Sequence, residues 1–367
     1  MISSKVDTLE QKSHNSEASL KLLPQVSSKK VEYLVPDTKN IKVFERYIGK
    51  TPLIRCNNIA PYLSCERLYA KFEGSNPTGT QKDRIAFALA KSALSSGYSA
   101  ITTASCGNFG VSLAFFGKIM KLDTYIFIPE NYHVPKERLD RMYLYQATII
   151  YVPGTYEDAV ELSRQYALEL GYFDANPGGE VNAEISIRAY STIAHEIQSH
   201  LRRTPDYIVC PVGNGTTLAG IYQGYAHLQK LGKIKDIPRI IASGTPRGNP
   251  IIQAFKSGQH TITDLNPQYI RETRVNEPLT NWHSFDGQQA LDSIYNSHGY
   301  AEYASDHQML KISKLLLREE GICALPASAS SLAIIPKMYE SGDYIFERKN
   351  NLLKGTFVTI LTSRYGG

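Results

Sequence analysis

The stretch Tyr207-Ile208-Val209-Cys210-Pro211-Val212-Gly213-Asn214-Gly215-Thr216-Thr217-Leu218-Ala219-Gly220 decides the fold class. Its first part, Tyr207–Val212, is a nearly continuous apolar run, as expected of a strand buried on both faces. Small residues follow at once, and a helical pattern then runs from Thr217 to Leu231. A strand that passes through a small-residue loop into a helix is the repeating unit of α/β proteins with parallel sheets. The bare N–H groups of Gly213, Asn214 and Gly215, the helix N-terminus and the hydroxyls of Thr216 and Thr217 suit a phosphate. Taken alone, the loop favours a phosphate only slightly over a tight turn holding nothing, because short glycine motifs are common. It has neither the G-x-G-x-x-G form of a dinucleotide site nor that of a P-loop.

The same alternation extends along the chain from about Ile41. Strands are expected at Ala100–Ala104, Thr124–Ile128, Thr148–Val152, Arg239–Ala242 and Thr356–Leu361. Helical periodicity marks Asp83–Ser96, Phe109–Met120, Pro135–Gln146, Tyr156–Leu170, Glu184–Leu201, Gln308–Glu320 and Ala329–Tyr339. Residues 1–40 differ, being rich in Ser, Lys, Glu and Gln, and read as a flexible extension with one strand near Val31–Val35. They contain acids and no arginine, which argues against a mitochondrial presequence.

Composition sets outer bounds. A chain of 367 residues carries a prior of roughly two domains and ample length for a core. With 42% apolar and 20% charged residues it is neither a disordered chain nor a fibre. Forty basic against 35 acidic residues give a net charge of +5, and no basic run exceeds two residues, so nothing points to nucleic acid. The five cysteines are scattered without a C-x-x-C pair, excluding a disulfide framework or zinc site and making a reducing cytosol the expectation. No segment has the length of a membrane span or the apolar core of a signal peptide.

In α/β sheets, chemistry sits at the carboxyl ends of strands. Ser105-Cys106-Gly107-Asn108-Phe109-Gly110 occupies such a place, and Asn108 offers a neutral donor and acceptor there or serves as a helix cap. Glu73-Gly74-Ser75-Asn76-Pro77-Thr78-Gly79-Thr80-Gln81-Lys82-Asp83-Arg84 is a turn that delivers Lys82 to a helix start. The positive end of the helix dipole helps hold that amine unprotonated, and a desolvated lysine is a nucleophile able to form a Schiff base. Asp83 and Arg84 read as capping and pairing residues.

These three segments, in this order, resemble the fold type II family of pyridoxal-phosphate (PLP) enzymes, the tryptophan synthase beta-like superfamily, and most closely its threonine synthase-like branch. The resemblance runs from about Gly49 to Tyr365. It includes Gly49-Lys50-Thr51-Pro52-Leu53, Glu320-Gly321-Ile322-Cys323-Ala324-Leu325-Pro326-Ala327-Ser328-Ala329 and the terminal Thr359-Ile360-Leu361-Thr362-Ser363. It implies that Lys82 carries PLP and shuttles protons, that Asn108 meets the phenolic oxygen, and that Gly213–Thr217 holds the phosphate. It places Thr362, or failing that Ser363, at the pyridine nitrogen; a neutral hydroxyl there leaves the ring less protonated, which suits loss of a leaving group over transamination. It further implies two open twisted parallel-sheet α/β domains with PLP in the cleft between them. The large one would comprise 41–69 and 176–367, the smaller 70–175, and the protein would be a homodimer.

The implied activity is a PLP-dependent lyase or replacement reaction, by closest resemblance O-phosphohomoserine to threonine. The alternatives are β-elimination or β-replacement on phosphoserine, serine or another β-substituted amino acid, or a catalytically silent PLP-binding protein. The substrate candidates are Ser105, Cys106, Asn176 and Arg188. Cys106 and Phe109 stand at usually hydroxylated positions, making the pocket more apolar. Ser186 and Ser191 stand where threonine synthases resemble an arginine and a lysine that bind substrate phosphate. Arg188 is two residues from Ser186, a rotation of roughly 200° on a helix.

Overall fold

A computed structural model of the chain describes residues 38–341 and 346–366. The flexible extension expected up to residue 37, and the strand expected near Val31–Val35, lie outside the described residues. Residues 38–40, expected to belong to that extension, open a helix instead.

In chain order the elements run α1 (Thr38–Glu45), β1 (Leu53–Arg55), β2 (Cys65–Phe72), α2 (Lys82–Ser95), β3 (Ala100–Ala104), α3 (Asn108–Met120), β4 (Asp123–Pro129) and α4 (Lys136–Leu144). They continue with β5 (Thr148–Val152), α5 (Tyr156–Leu170), β6 (Phe173–Asp174), α6 (Glu180–Leu201), β7 (Tyr207–Pro211), α7 (Thr216–Lys230), β8 (Arg239–Gly244) and α8 (Pro250–Lys256). The remainder comprises α9 (Gly287–Asn296), β9 (Tyr300–Tyr303), α10 (Asp306–Glu320), α11 (Ser330–Ala333), α12 (Ile335–Glu340), β10 (Arg348–Lys349) and β11 (Leu352–Leu361).

Two sheets result. The smaller has the order β5-β4-β3-β6 and is parallel throughout. The larger has the order β1-β2-β11-β7-β8-β9, parallel from β2 to β9, with β1 and β10 added antiparallel. Ala70, Lys71 and Phe72 pair with Thr359, Ile360 and Leu361 of β11, so they belong to the larger sheet and do not open the smaller unit expected from residue 70. The strands read from apolar runs are buried accordingly: all five residues of β3 and all five of β7 are inaccessible. Helices lie against both faces because βαβ crossovers put them there. Where β11 and β7 run side by side, the rings of Tyr207 and Phe357 stack with centroids 4.4 Å apart.

Local chemistry sets the helix ends. Thr155 and Asp158 form a reciprocal capping box on α5, and Ser305 and Gln308 do so on α10; Gly171 and Gly321 close these helices in the left-handed conformation. The single helix expected over Ala329–Tyr339 is instead a 3-10 turn, α11 and α12. Pro336 explains the break, since it has no N–H to give to the preceding turn and its ring clashes with the carbonyl four residues earlier.

One polar cluster is buried among these elements. Arg84 on α2 donates to both carboxylate oxygens of Glu73 (2.7 and 2.8 Å) and to both of Glu196 on α6 (2.8 and 3.0 Å). Lys71 on β2 donates to Glu196 (2.5 Å) and to the Thr51 carbonyl (2.6 Å). Burial pushes the Glu73 carboxyl up, but Arg84 and Lys71 more than offset it and hold it ionised. The same balance brings Glu196 down to about 2. Two cations and two anions thus neutralise one another where each alone would be costly. Arg84→Met leaves Glu73 buried without its partner and is expected to cost about 3–5 kcal/mol in urea unfolding. Lys91→Met, which breaks the exposed pair with Glu45, is expected to cost about 0–1 kcal/mol.

Candidate active site

The carboxyl ends of β3, β7 and β11 open onto a cavity of about 510 Å³. It is lined by Lys82, the 105–109 loop, the 213–217 loop, Thr362 and Ser363, together with a cover drawn from 270–286. Three segments far apart in sequence therefore meet in one place.

The lysine turn is stitched to the last strand. Gln81 N donates to the Thr362 carbonyl (2.8 Å), Arg364 N to the Gly79 carbonyl (3.0 Å), and Thr80 bridges Ser363. Within the turn, Asp83 accepts from Thr78 N (2.6 Å) and from Thr78 Oγ1 (2.5 Å), while Gly79 adopts φ +94°. Burial lifts the Asp83 carboxyl to about 6 against these bonds. Lys82 is the first residue of α2, and its ammonium makes no hydrogen bond or ion pair with a described residue. Burial pulls its pKa below the ordinary lysine value, opposed in part by the Asp286 carboxylate. Both burial and the helix N-terminus favour the neutral amine.

Across the cavity, Gly215 caps α7 with φ +91°. A Cβ there would lie 2.6 Å from Ala290 Cβ, and one on Gly213 would lie 2.7 Å from the Pro278 carbonyl oxygen. Only glycine leaves this backbone open to an anion. Asn281 donates to Asn214 Oδ1 (3.1 Å), and Thr216 donates to Asp286 Oδ2 (2.6 Å). Between these poles, Asn108 donates to Ser363 Oγ (3.2 Å), and Thr362 Oγ1 lies 2.7 Å from Ser328 Oγ.

The substrate candidates divide. Ser105 lines the cavity while its Oγ accepts from Gly110 N (2.9 Å), so it also caps α3. Cys106 lines the cavity as a thiol, its pKa pushed up to about 12 by burial and by Glu277 and Glu272. Asn176 reaches the lining, yet its side chain accepts from Ala104 N (2.7 Å) and donates to Ser163 and Asp174 (2.9 and 2.6 Å). Those bonds hold the end of β3 and leave it little to offer a ligand. Arg188 is not brought to the cavity: it is exposed on α6, whereas Ser186 on the same helix lines the wall. The helical rotation between the two positions separates them.

Sequence reasoning missed the cover. Tyr132 donates to Glu272 (3.0 Å) and Arg138 to Glu277 (3.1 and 3.3 Å), linking the segment after β4 to the segment before α9. Asn281 and Asp286 come from the same irregular stretch, where no periodicity flags them. Asp286, just before the glycine that opens α9, carries the only local signal, that of a helix cap. Among the described residues no cluster has the makeup of a metal site.

The residues present fit PLP. The buried oxygens Asn108 Oδ1, Gln81 Oε1 and Asn281 Oδ1 have no partner among the described residues and all three side chains line the cavity. A free amine, a cradle that a Cβ would fill and neutral polar groups between them match an aldehyde, a phosphate and a substituted ring.

Comparison with known proteins agrees. Residues 44–348 match the family model described as pyridoxal-phosphate dependent enzyme. A threonine synthase from Methanocaldococcus jannaschii is 34% identical over 315 residues, covering 85% of this chain and 75% of that protein. One from Methanosarcina acetivorans is 31% identical over 297 residues, covering 80% and 71%. Among solved structures, maize serine racemase superposes with a TM-score of 0.71 at 17% identity over 90% of this chain and 94% of its own. Gly213→Ala is expected to weaken PLP binding at least about tenfold in an absorbance titration. Gly232→Ala, which strains a φ of +66° away from the cavity lining, is expected to leave it unchanged.

Proposed function

The chain belongs to the family of PLP-dependent enzymes, and we propose that it acts on an α-amino acid whose side chain carries a leaving group, converting O-phosphohomoserine to threonine. The observation that carries this reading is the meeting of Lys82, the Gly213–Thr217 cup and the Asn108–Ser363 pair in one cavity, in a chain 34% identical to a threonine synthase. When bound, PLP supplies an electron sink for negative charge developing at the substrate Cα.

The chain's own residues do the rest. Lys82, whose pKa burial lowers, removes the proton from Cα and returns one where product forms. The N–H groups of the cup and the dipole of α7 hold the phosphate. Asn108 and Thr362 hold the ring oxygen and ring nitrogen, and Ser363 orients Asn108. The N–H groups at the start of α3 orient the substrate carboxylate, with Cys106 as an apolar neighbour. The cover over 270–286 limits solvent access, so that phosphate leaves from Cγ and one admitted water supplies the hydroxyl that threonine carries at Cβ. The same reading makes the protein a cytosolic homodimer; no described helix is long and apolar enough to cross a membrane.

A second reading is favoured by the wall at Ser186. With Arg188 turned outward, that wall presents a hydroxyl where a second phosphate needs a cation. β-Elimination or β-replacement on serine or another β-substituted amino acid then follows, while phosphoserine would meet the same lack of a cation as O-phosphohomoserine.

Purified enzyme loaded with PLP is expected to release phosphate and threonine in equal amounts from O-phosphohomoserine. Keto acid from serine or another β-substituted amino acid, without threonine, selects the second reading. Binding spectra without any product overturn both. Lys82→Ala is expected to lower kcat by about 10²–10⁴-fold, and full turnover in that variant removes Lys82 from the mechanism.

A further inference from the structure

The phosphate cup contains a carboxylate. Asp286 is 8% exposed and lines the cavity, and its Oδ2 accepts the proton of the Thr216 hydroxyl at 2.6 Å. Thr216 heads α7, where a phosphate seated on Gly213–Gly215 would look for that same O–H. An ionised Asp286 therefore opposes the phosphate twice: it takes up the hydroxyl's single proton, and it sets a negative charge against a dianion.

Little else in the cavity compensates. The basic side chains lining it are Lys82, Arg138 and His283. Arg138 is bound to both oxygens of Glu277, and His283 Nδ1 lies 2.9 Å from Asp264. Lys82 from α2 is the charge that reaches Asp286, and it is committed to the cofactor's aldehyde once PLP is bound. Beside Lys82, the group that acts on the Asp286 carboxyl is the uncharged Thr216 hydroxyl on α7. The cup thus holds its anion with N–H groups and a helix dipole, next to an acid that lacks a cation of its own.

We infer that Asp286 is a member of the phosphate cup and carries a proton when the phosphate is seated. The proton comes from solvent. A neutral carboxyl either donates to the phosphate itself or leaves the Thr216 O–H free to do so, and in both cases the opposition vanishes. Burial, which pushes the Asp286 carboxyl up against the pull of Thr216 and Lys82, works in the same direction. The phosphate raises it further, so binding of the dianion is strongest below the pH at which the free site ionises and above that at which the phosphate is protonated. It weakens as pH rises through the range in which the free site ionises and the seated site does not.

The test uses the full chain freed of PLP and 4′-deoxypyridoxine 5′-phosphate, which has the phosphate but no aldehyde, so that Lys82 cannot react with it. Calorimetry at pH 8 in buffers of different ionisation enthalpy is expected to show uptake approaching one proton per analogue bound. The affinity should fall by up to about tenfold per pH unit between pH 7 and 9. Asp286→Asn should lose this uptake, and its affinity should fall less steeply with pH than that of wild type. The phosphorus resonance of the analogue bound to wild type should stay at the dianion position, since phosphate esters lose their second proton near pH 6. No proton uptake by wild type overturns the assignment, as does uptake that persists in Asp286→Asn. A monoanion signal also overturns it, by placing the proton on the phosphate. The phosphate-free 4′-deoxypyridoxine should bind without uptake, and uptake with it overturns the link to the phosphate. If Asp286→Asn fails to fold, the wild-type calorimetry, the phosphorus spectrum and the phosphate-free control decide the question.

Discussion

The position of Lys82 depends on the forked contact of Arg84 with Glu73 and Glu196. A lysine at a helix start is useful only if that helix cannot slide, and α2 is pinned two residues further on by four charge-assisted hydrogen bonds. The same cluster reaches β2 through Lys71 and the entry loop through Thr51, whose hydroxyl donates to Glu73 at 2.7 Å. Gly49 is bare for this reason: a Cβ there would lie 2.6 Å from both Arg84 and Glu196. One neutral set of four charges thus ties the larger sheet, α6 and α2 together. Replacing such a set with apolar residues often gains stability, so its use is better sought in specifying one arrangement.

Around that anchor the site separates its tasks by location. Burial lowers the pKa of the Lys82 amine, the start of α7 supplies positive potential without a formal charge, and neutral amides and hydroxyls occupy the space between. Two contacts tie down the cover, the neutral Tyr132 hydroxyl with Glu272 and the ion pair of Arg138 with Glu277. The interior is left to groups that can change protonation state without leaving an uncompensated ion behind.

Much of this was legible in the sequence. The strands from apolar runs, the helices from periodicity, and the three loops that carry Lys82, Asn108 and Gly213–Thr217 all follow local rules, because a backbone turn or a buried strand restricts composition over consecutive residues. What escaped depends on partners distant in sequence. β2, with Glu66, Arg67 and Lys71, is not among the strands expected from apolar runs, and its Lys71 is fully buried because Glu196 meets it from 125 residues away. Asn176 looks like a free polar group until Ala104, Ser163 and Asp174 are seen around it. Arg188 and Ser186 differ only in helical phase. Asp286 sits in a stretch without periodicity, and only the proximity of Thr216 gives it a role.

The stitching of the lysine turn to β11 bears on how the protein is made. β11 lies in the middle of the larger sheet, between β2 and β7, although it is synthesised after both. Until it leaves the ribosome, β2 and β7 face an open gap, and the backbone partners of Gly79, Thr80 and Gln81 do not exist. A nascent chain can therefore display Lys82 and even a formed glycine loop without holding them in register. Cofactor capture therefore follows the synthesis of β11, and a chain without that strand would lose the backbone seat of its lysine.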